Sequence, residues 1–512
     1  MALQPNVVLI LADDMGYSDL GCFGGEIHTP NLDHLAANGQ AYTQFYNTAR
    51  CCPTRASLLT GLHPHQTGIG HMTNTPVNKT IHDHGVFGYR GFLNHRCVTI
   101  AEVLQSAGYH TYMAGKWHLG EHEPDQWPTR RGFERFYGIR AGACNYLRPA
   151  PPNGLFLQDD PVAPAQEYYS TDAFTTYACR FIEEQDDDRP FFLYLAFNAP
   201  HWPLQAPQAD VAKYRGRYLC GWDAVRQTRY RKMVDMGLID PQTCRLSPRD
   251  ENVPDWNALT DEQKQEMDLR MAVYAAQIDR MDQNVGRVVD LLRERGQLDN
   301  TLILFLSDNG ACAEGGVLGA GDPWRINNPQ LESLMVSYGR CWANVSNTPF
   351  RLYKRYVHEG GVATPLIAHW PQGIRTHGWI REPGYLIDVM PTLLEVCGAH
   401  YPEEAFGNPI PPLEGKSLAP VFRTGKRQGH EMMFWEHEDH CAIRWGEYKA
   451  LQEYGTGQWR LYDLGKDRSE LEEISQQHPE VVKKLAKSWD QWAAEHHVSP
   501  KWAGWKPAKS SE

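Results

Sequence analysis

No apolar run in this 512-residue chain approaches the ~18–20 residues that a membrane-spanning helix requires. The longest near the N-terminus, Val7 to Ala12, stops at Asp13-Asp14. Met1 to Asn6 has neither a basic region nor a cleavage site, so a secretory leader is not expected. Cysteines at framework spacing are also missing. The twelve that exist are scattered, as suits a reducing compartment. The expected location is therefore the cytoplasm, or the periplasm or exterior if a leader has been trimmed. An excess of positive charge is lacking too. Fifty Lys and Arg against 62 Asp and Glu leave a formal charge of −12, which argues against nucleic acid and anionic membrane as partners. Internal repeats and low-complexity tracts are absent. What remains is ordinary globular composition, 42% apolar and 22% charged, in a chain long enough for more than one domain.

Strand and helix patterns alternate along most of the chain. Asn6 to Ala12 is a β-branched apolar run closed by two acids, the pattern of a buried parallel strand ending at a functional edge. Thr29-Pro30 begin a helix over Asn31 to Asn38, and Ala101 to Ala107 reads as another. Tyr109 to Ala114, Phe191 to Phe197, Thr301 to Leu306 and Gly361 to Trp370 read as strands. From Glu262 apolar residues recur every three or four positions up to Leu292, a long helix stopped at Gly296. Ile387 to Val396 reads as a helix interrupted by Pro391. Gln205 to Trp256 is expected outside the sheet, and Glu403 to Gln428 is expected to be a Pro/Gly-rich linker. Beyond it, Met432–Trp435, Cys441–Trp445, Tyr448–Glu453 and Trp459–Leu464 suggest short antiparallel strands. A helix after Pro479 would bury Val482, Leu485, Trp489 and Trp492 on one face. The expected fold is a doubly wound α/β sheet with ligands at its carboxyl edge, spanning 1–425, and a small α+β domain over 426–512.

The most informative stretch is Cys51-Cys52-Pro53-Thr54-Arg55-Ala56-Ser57-Leu58-Leu59-Thr60-Gly61. A lone cysteine before a helix is usually unremarkable, but Cys-x-Pro-x-Arg followed by Thr-Gly resembles the tag of the type I sulfatases, at which a cysteine is oxidised to formylglycine. The resemblance implies an alkaline-phosphatase-like fold and a formylglycine-generating enzyme as maturation partner. A hydrated aldehyde has two hydroxyls on one carbon. One can attack the sulfur of a sulfate ester, and the other can lose its proton and expel sulfate. A serine would be left as a stable alkyl sulfate.

Four further motifs extend the resemblance over nearly the whole chain. Asp13-Asp14 and Asp308-Asn309, each after a strand, are similar to the family's metal site, which also includes the residue at Cys51. Three carboxylates and an amide offer only oxygen donors, which suits Ca²⁺, with Mg²⁺ as the alternative, over zinc. Gly115-Lys116-Trp117-His118 resembles the family's Gly-Lys-Trp-His, implying that Lys116 contacts sulfate and that His118 is the base for sulfate elimination. Ala199-Pro200-His201 and Lys354, five residues before Glu359-Gly360-Gly361, match the family's Pro-His and Lys-x-x-x-x-Glu-Gly-Gly. The match implies that His201 meets the ester oxygen and that Lys354 binds sulfate; either could protonate the leaving group. Arg55 would orient the formylglycine.

Two rival functions remain open. A phosphonate monoester or phosphodiester hydrolase shares the tag but generally lacks the Lys-x-His pair present here at Lys116 and His118. A catalytically silent sulfate-ester-binding homologue would keep Cys51 unoxidised. A two-zinc phosphatase expects Asp-His where this chain has Asp308-Asn309. The net charge favours a small aryl or sugar sulfate as substrate. The pocket walls are expected from Gly68 to His84, Asn145 to Ala165 and Gln205 to Trp256. His63-Pro64-His65 and His82-Asp83-His84 lack a second pair at zinc spacing and read as polar loop.

Overall fold

The computed structural model describes residues 4–73, 85–151, 154–325, 327 and 335–499. Its frame is an eleven-stranded sheet built from β1 (Asn6–Asp13), β2 (Gln40–Tyr46), β3 (His110–Lys116), β4 (Arg135–Ile139), β5 (Leu155–Leu157), β6 (Asp160–Val162), β7 (Phe191–Pro200), β8 (Thr301–Ser307), β9 (Ala363–His369), β10 (Gly378–Ile380) and β11 (Gly384–Tyr385). The order is β10-β2-β9-β8-β1-β7-β3-β4-β5-β6, with β11 also on β2. The central strands β8, β1, β7, β3 and β4 are mutually parallel, while β9 runs antiparallel to β2 and β8. In β1 seven of eight residues are buried, because a central parallel strand is covered on both faces. Helices flank the sheet. Among them is the 34-residue Asp261–Glu294 helix, started by a capping box in which the Thr260 hydroxyl accepts from the Gln263 amide.

Parallel order places the carboxyl ends of neighbouring strands along one edge. Asp13 ends β1, Lys116 ends β3, His201 follows β7 and Asp308 follows β8. Close approach at this edge depends on Gly115. It sits at φ +119, and a Cβ there would stand 1.9 Å from the Ala196 carbonyl oxygen. The 205–256 segment lies outside the sheet, as expected, and forms the helices Gln208–Ala212 and Trp222–Asp235.

Two expectations need correction. The 403–428 segment is more than a linker. It contains the short hairpin β12 (Glu404–Ala405) and β13 (Asn408–Pro409), then a helix, Ala419–Thr424, that buries Val421 and Phe422. Pro420 falls in that helix's first turn, where its missing N–H removes no hydrogen bond. Similarly, Pro391 does not interrupt a helix; it lies in the first turn of Val389–Cys397.

The antiparallel sheet near the C-terminus consists of β14 (Met432–His437), β15 (His440–Trp445), β16 (Tyr448–Gln452) and β17 (Arg460–Asp463). The Pro479–Glu495 helix covers it with Leu485, Trp489 and Trp492. Trp435 of β14 donates its indole N–H to the Asn47 carbonyl at 2.9 Å, which ties this sheet to the segment leading into Cys51. A buried ionic knot adds to the tie: Lys449 Nζ lies 2.9 Å from Glu359 and 2.8 Å from Glu470, all three fully buried. Lys449→Ala would leave two carboxylates uncompensated and should lower the unfolding free energy by about 3–5 kcal/mol. Denaturant titration is the check, and a loss below about 1 kcal/mol would mean the knot is not holding the sheets together.

Candidate active site

Cys51 is the first residue of the Cys51–Thr60 helix and is buried. Its sulfur lies within 4.8 Å of carboxylate oxygens of Asp13 and Asp308. Around it three acids meet three cations. Lys116 Nζ donates to Asp13 Oδ2 at 2.7 Å, Arg55 Nη2 to Asp308 Oδ2 at 2.9 Å, and Lys354 Nζ lies 2.7 Å from Asp14 Oδ1. Arg55 is also 3.6 Å from Asp13 Oδ1, and its Nη1 donates to the Lys116 carbonyl at 3.0 Å. Asn309 Nδ2 donates to Asp14 Oδ1 at 2.7 Å, and the Asp14 amide donates to Asp308 Oδ1 at 3.1 Å. Asp14 adopts φ +68, a left-handed backbone that aspartate tolerates better than most residues. All ten residues predicted for the site or its metal are thus gathered at this edge.

Burial and charge set the ionisation. Burial raises Asp308, and Asp13 beside it adds to the effect, so its carboxyl is pushed up to about 7 despite Arg55. Burial would also raise Asp14, but Lys354 and His201 outweigh it and hold that carboxyl well below the usual range. His118 is driven well below the ordinary histidine value by burial, then by Lys116 and Arg55. Burial pushes His201 down to about 4 against the pull of Asp14, whose Oδ2 is 3.4 Å from Nε2. Both imidazoles are therefore neutral at pH 7.

Among the described residues His118 finds no hydrogen-bond partner for either ring nitrogen, and it takes φ +56. Its ring is held from one side by Gly142, where a Cβ would stand 2.6 Å from Cε1 and Nε2. Gly142→Ala should displace the ring and cut kcat about 100-fold, in keeping with the cost of an ångström-scale misplacement. Steady-state kinetics beside a thermal melt is the check. An undiminished rate would contradict the placement of His118.

Two residues not foreseen from the sequence join the site. Glu314 accepts from Arg50 Nη1 and from Trp202 Nε1, each at 3.0 Å. Trp202 follows His201 but carries no motif, and Glu314 pairs across 264 positions, so no local pattern marks either. A cavity of about 570 Å³ lies elsewhere, between Glu102, Arg130 and Phe406, away from these groups.

The chain fits one family throughout. The sulfatase family model matches residues 5–399, and the C-terminal model of N-sulphoglucosamine sulphohydrolase matches residues 350–495. The chain belongs to the sulfatase family. This sulfatase is 37% identical to an uncharacterised sulfatase of Schizosaccharomyces pombe, with 97% of this chain and 94% of that one covered. An arylsulfatase of Klebsiella aerogenes is 36% identical, with 82% and 92% covered. Among solved structures, i-CgsB in complex with k-i-k-neocarrahexaose superposes with a TM-score of 0.70 at 26% identity, covering 98% of this chain and 94% of that one. The mixed, mostly parallel sheet of this sulfatase is the alkaline-phosphatase-like fold expected from the motifs.

The histidine pairs fall outside this site. His63 and His65, expected in a polar loop, are buried. The C-terminal helix and sheet pack over them: His63 lies against Trp492, and His65 Nε2 is 2.6 Å from Glu436 Oε2. His82-Asp83-His84 lies outside the described residues. Among the described residues, no helix is long and apolar enough to cross a membrane.

Proposed function

We propose that this sulfatase hydrolyses small sulfate monoesters, aryl or monosaccharide, at residue 51 after Cys51 is oxidised to formylglycine. One Ca²⁺ or Mg²⁺ would be held by Asp13, Asp14, Asp308, Asn309 and residue 51. The observation that carries the reading is the cysteine of the Cys-x-Pro-x-Arg tag at a helix start, beside Asp13 and Asp308, with Arg55 and Lys116 on the same carboxylates. The donor set fits a hard cation: among the described residues nothing hydrogen-bonds the buried oxygens Asp13 Oδ1 and Asn309 Oδ1, and Asp308 and Asp13 crowd like charge together. Bound there, the cation would neutralise charge on the sulfate and favour an ionised hydroxyl at residue 51. The hydrated aldehyde supplies one hydroxyl for attack and a second whose deprotonation restores residue 51.

The chain's own residues take the remaining roles. Arg55, fully buried and fixed by Asp308 and the Lys116 carbonyl, orients residue 51. Lys116 and Lys354 carry compact charges on flexible stems and can exchange a carboxylate for a sulfate oxygen. Neutral His118, both of whose ring nitrogens are unpartnered among the described residues, can accept the proton released at residue 51. His201 and Lys354 share Asp14. Lys354 holds a proton to give the leaving oxygen, whereas neutral His201 spends its one N–H on the Trp202 carbonyl and would have to take up a proton first. Three cations balance three acids here, so a divalent ion on the carboxylates would give the site a local positive charge inside a protein of charge −12, which favours one compact sulfate group over a long polyanion.

The test compares kcat/KM for a small aryl sulfate, a sulfated oligosaccharide and a phosphonate monoester at two salt concentrations. The aryl sulfate should lead, and the oligosaccharide should gain on it as salt screens repulsion. A clear lead for the phosphonate would replace the reading with that of a phosphonate monoester hydrolase.

A further inference from the structure

Two arginines stand directly beside residues assigned to the chemistry. Arg50 precedes Cys51, and Arg355 follows Lys354. Left uncompensated, they would make the rim of the pocket a second anion site. Each is compensated instead. Arg50 pairs with Glu314 at 3.0 Å, and Arg355 pairs through Nε with Glu438, from the turn between β14 and β15. Glu438 also lies within electrostatic reach of Arg50. Glu314 is anchored a second time by the Trp202 indole, whose ring centroid is 4.5 Å from that of His201. About a third of the Glu314 side chain, 33%, is open to solvent. Burial alone would raise its carboxyl, but Lys354 and Arg50 hold it down at about 2, so the charge is present at every working pH.

We propose that Glu314 and Glu438 set substrate class by neutralising the rim arginines: the pocket accepts sulfate monoesters with a neutral alcohol half and rejects those carrying a second anionic group. The inference rests on the sulfate-ester reading above and adds the residues that restrict it. Each Glu314 oxygen accepts one hydrogen bond and retains another lone pair, so the rim is receptive to a donor and repels a carboxylate or second sulfate. At Glu314 the selection is local, because that carboxylate lies where the alcohol half would leave, beside Trp202 and His201. It would therefore persist at salt concentrations that screen the protein's overall charge.

The experiment compares 4-nitrophenyl sulfate with its 3-carboxylated derivative, taking kcat/KM for each on the wild-type enzyme, Glu314→Gln and Glu438→Gln. The wild type should prefer the uncarboxylated ester, and each substitution should reduce that preference by about tenfold, the size expected when one close like charge is removed. If the rim glutamates only brace the arginines, both esters will slow together and the preference will not change. That result overturns the inference while leaving the sulfatase reading intact. If the wild type cleaves neither sulfate ester yet cleaves a phosphonate, the sulfate-ester reading falls and the inference falls with it.

Discussion

Cys51→Ala should lower aryl sulfate turnover by at least about 10⁴-fold, the scale of loss when a nucleophile is removed and only binding and electrostatics remain. The cysteine is fully enclosed, so its replacement by a smaller apolar residue should leave the fold intact. Cys51→Ser separates the chemistry from mere occupancy of the position. Serine can attack once but has no second hydroxyl on the same carbon. It should therefore stop after one turnover and carry an added mass of about 80 Da as a serine sulfate. Continued turnover by Cys51→Ser at the wild-type rate would rule out the two-hydroxyl mechanism.

Asp308→Ala should have the next largest effect, because this carboxylate does two jobs at once. It is a proposed metal ligand, and it fixes Arg55 at 2.9 Å. Its loss should abolish stoichiometric Ca²⁺ or Mg²⁺ and lower kcat/KM by about 10³-fold or more, since Lewis-acid stabilisation contributes several kcal/mol. Elemental analysis of wild type and variant, read beside the kinetics, is the check. Two zinc ions per wild-type chain, with activity tracking them, would overturn the oxygen-ligand assignment.

The site and the scaffold around it are not equally visible in the sequence. Asp13, Asp14, Asp308 and Asn309 announced themselves because each pair closes an apolar run, and a parallel sheet places such closures on one edge. The antiparallel direction of β9 was not visible. Its run from Ala363 to His369 is buried throughout, and such a run carries no sign of strand polarity. The 403–428 segment reads as linker because it is rich in Pro and Gly, yet Pro420 falls in the first turn of a helix, where proline is tolerated. His63 and His65 read as polar because the Trp492 and Glu436 that enclose them lie hundreds of positions away. The Arg50–Glu314 and Arg355–Glu438 pairs were hidden for the same reason: charge pairing across loops leaves no periodicity.

The central claim concerns the side chain at position 51, and the peptide carrying it can be weighed directly. Digestion of active enzyme, produced with its natural maturation machinery, should give a peptide spanning position 51 about 18 Da lighter than the cysteine form, the change from thiol to aldehyde. Specific activity should rise in proportion to the converted fraction. Full sulfatase activity in a sample whose residue 51 is entirely a free thiol would contradict the account.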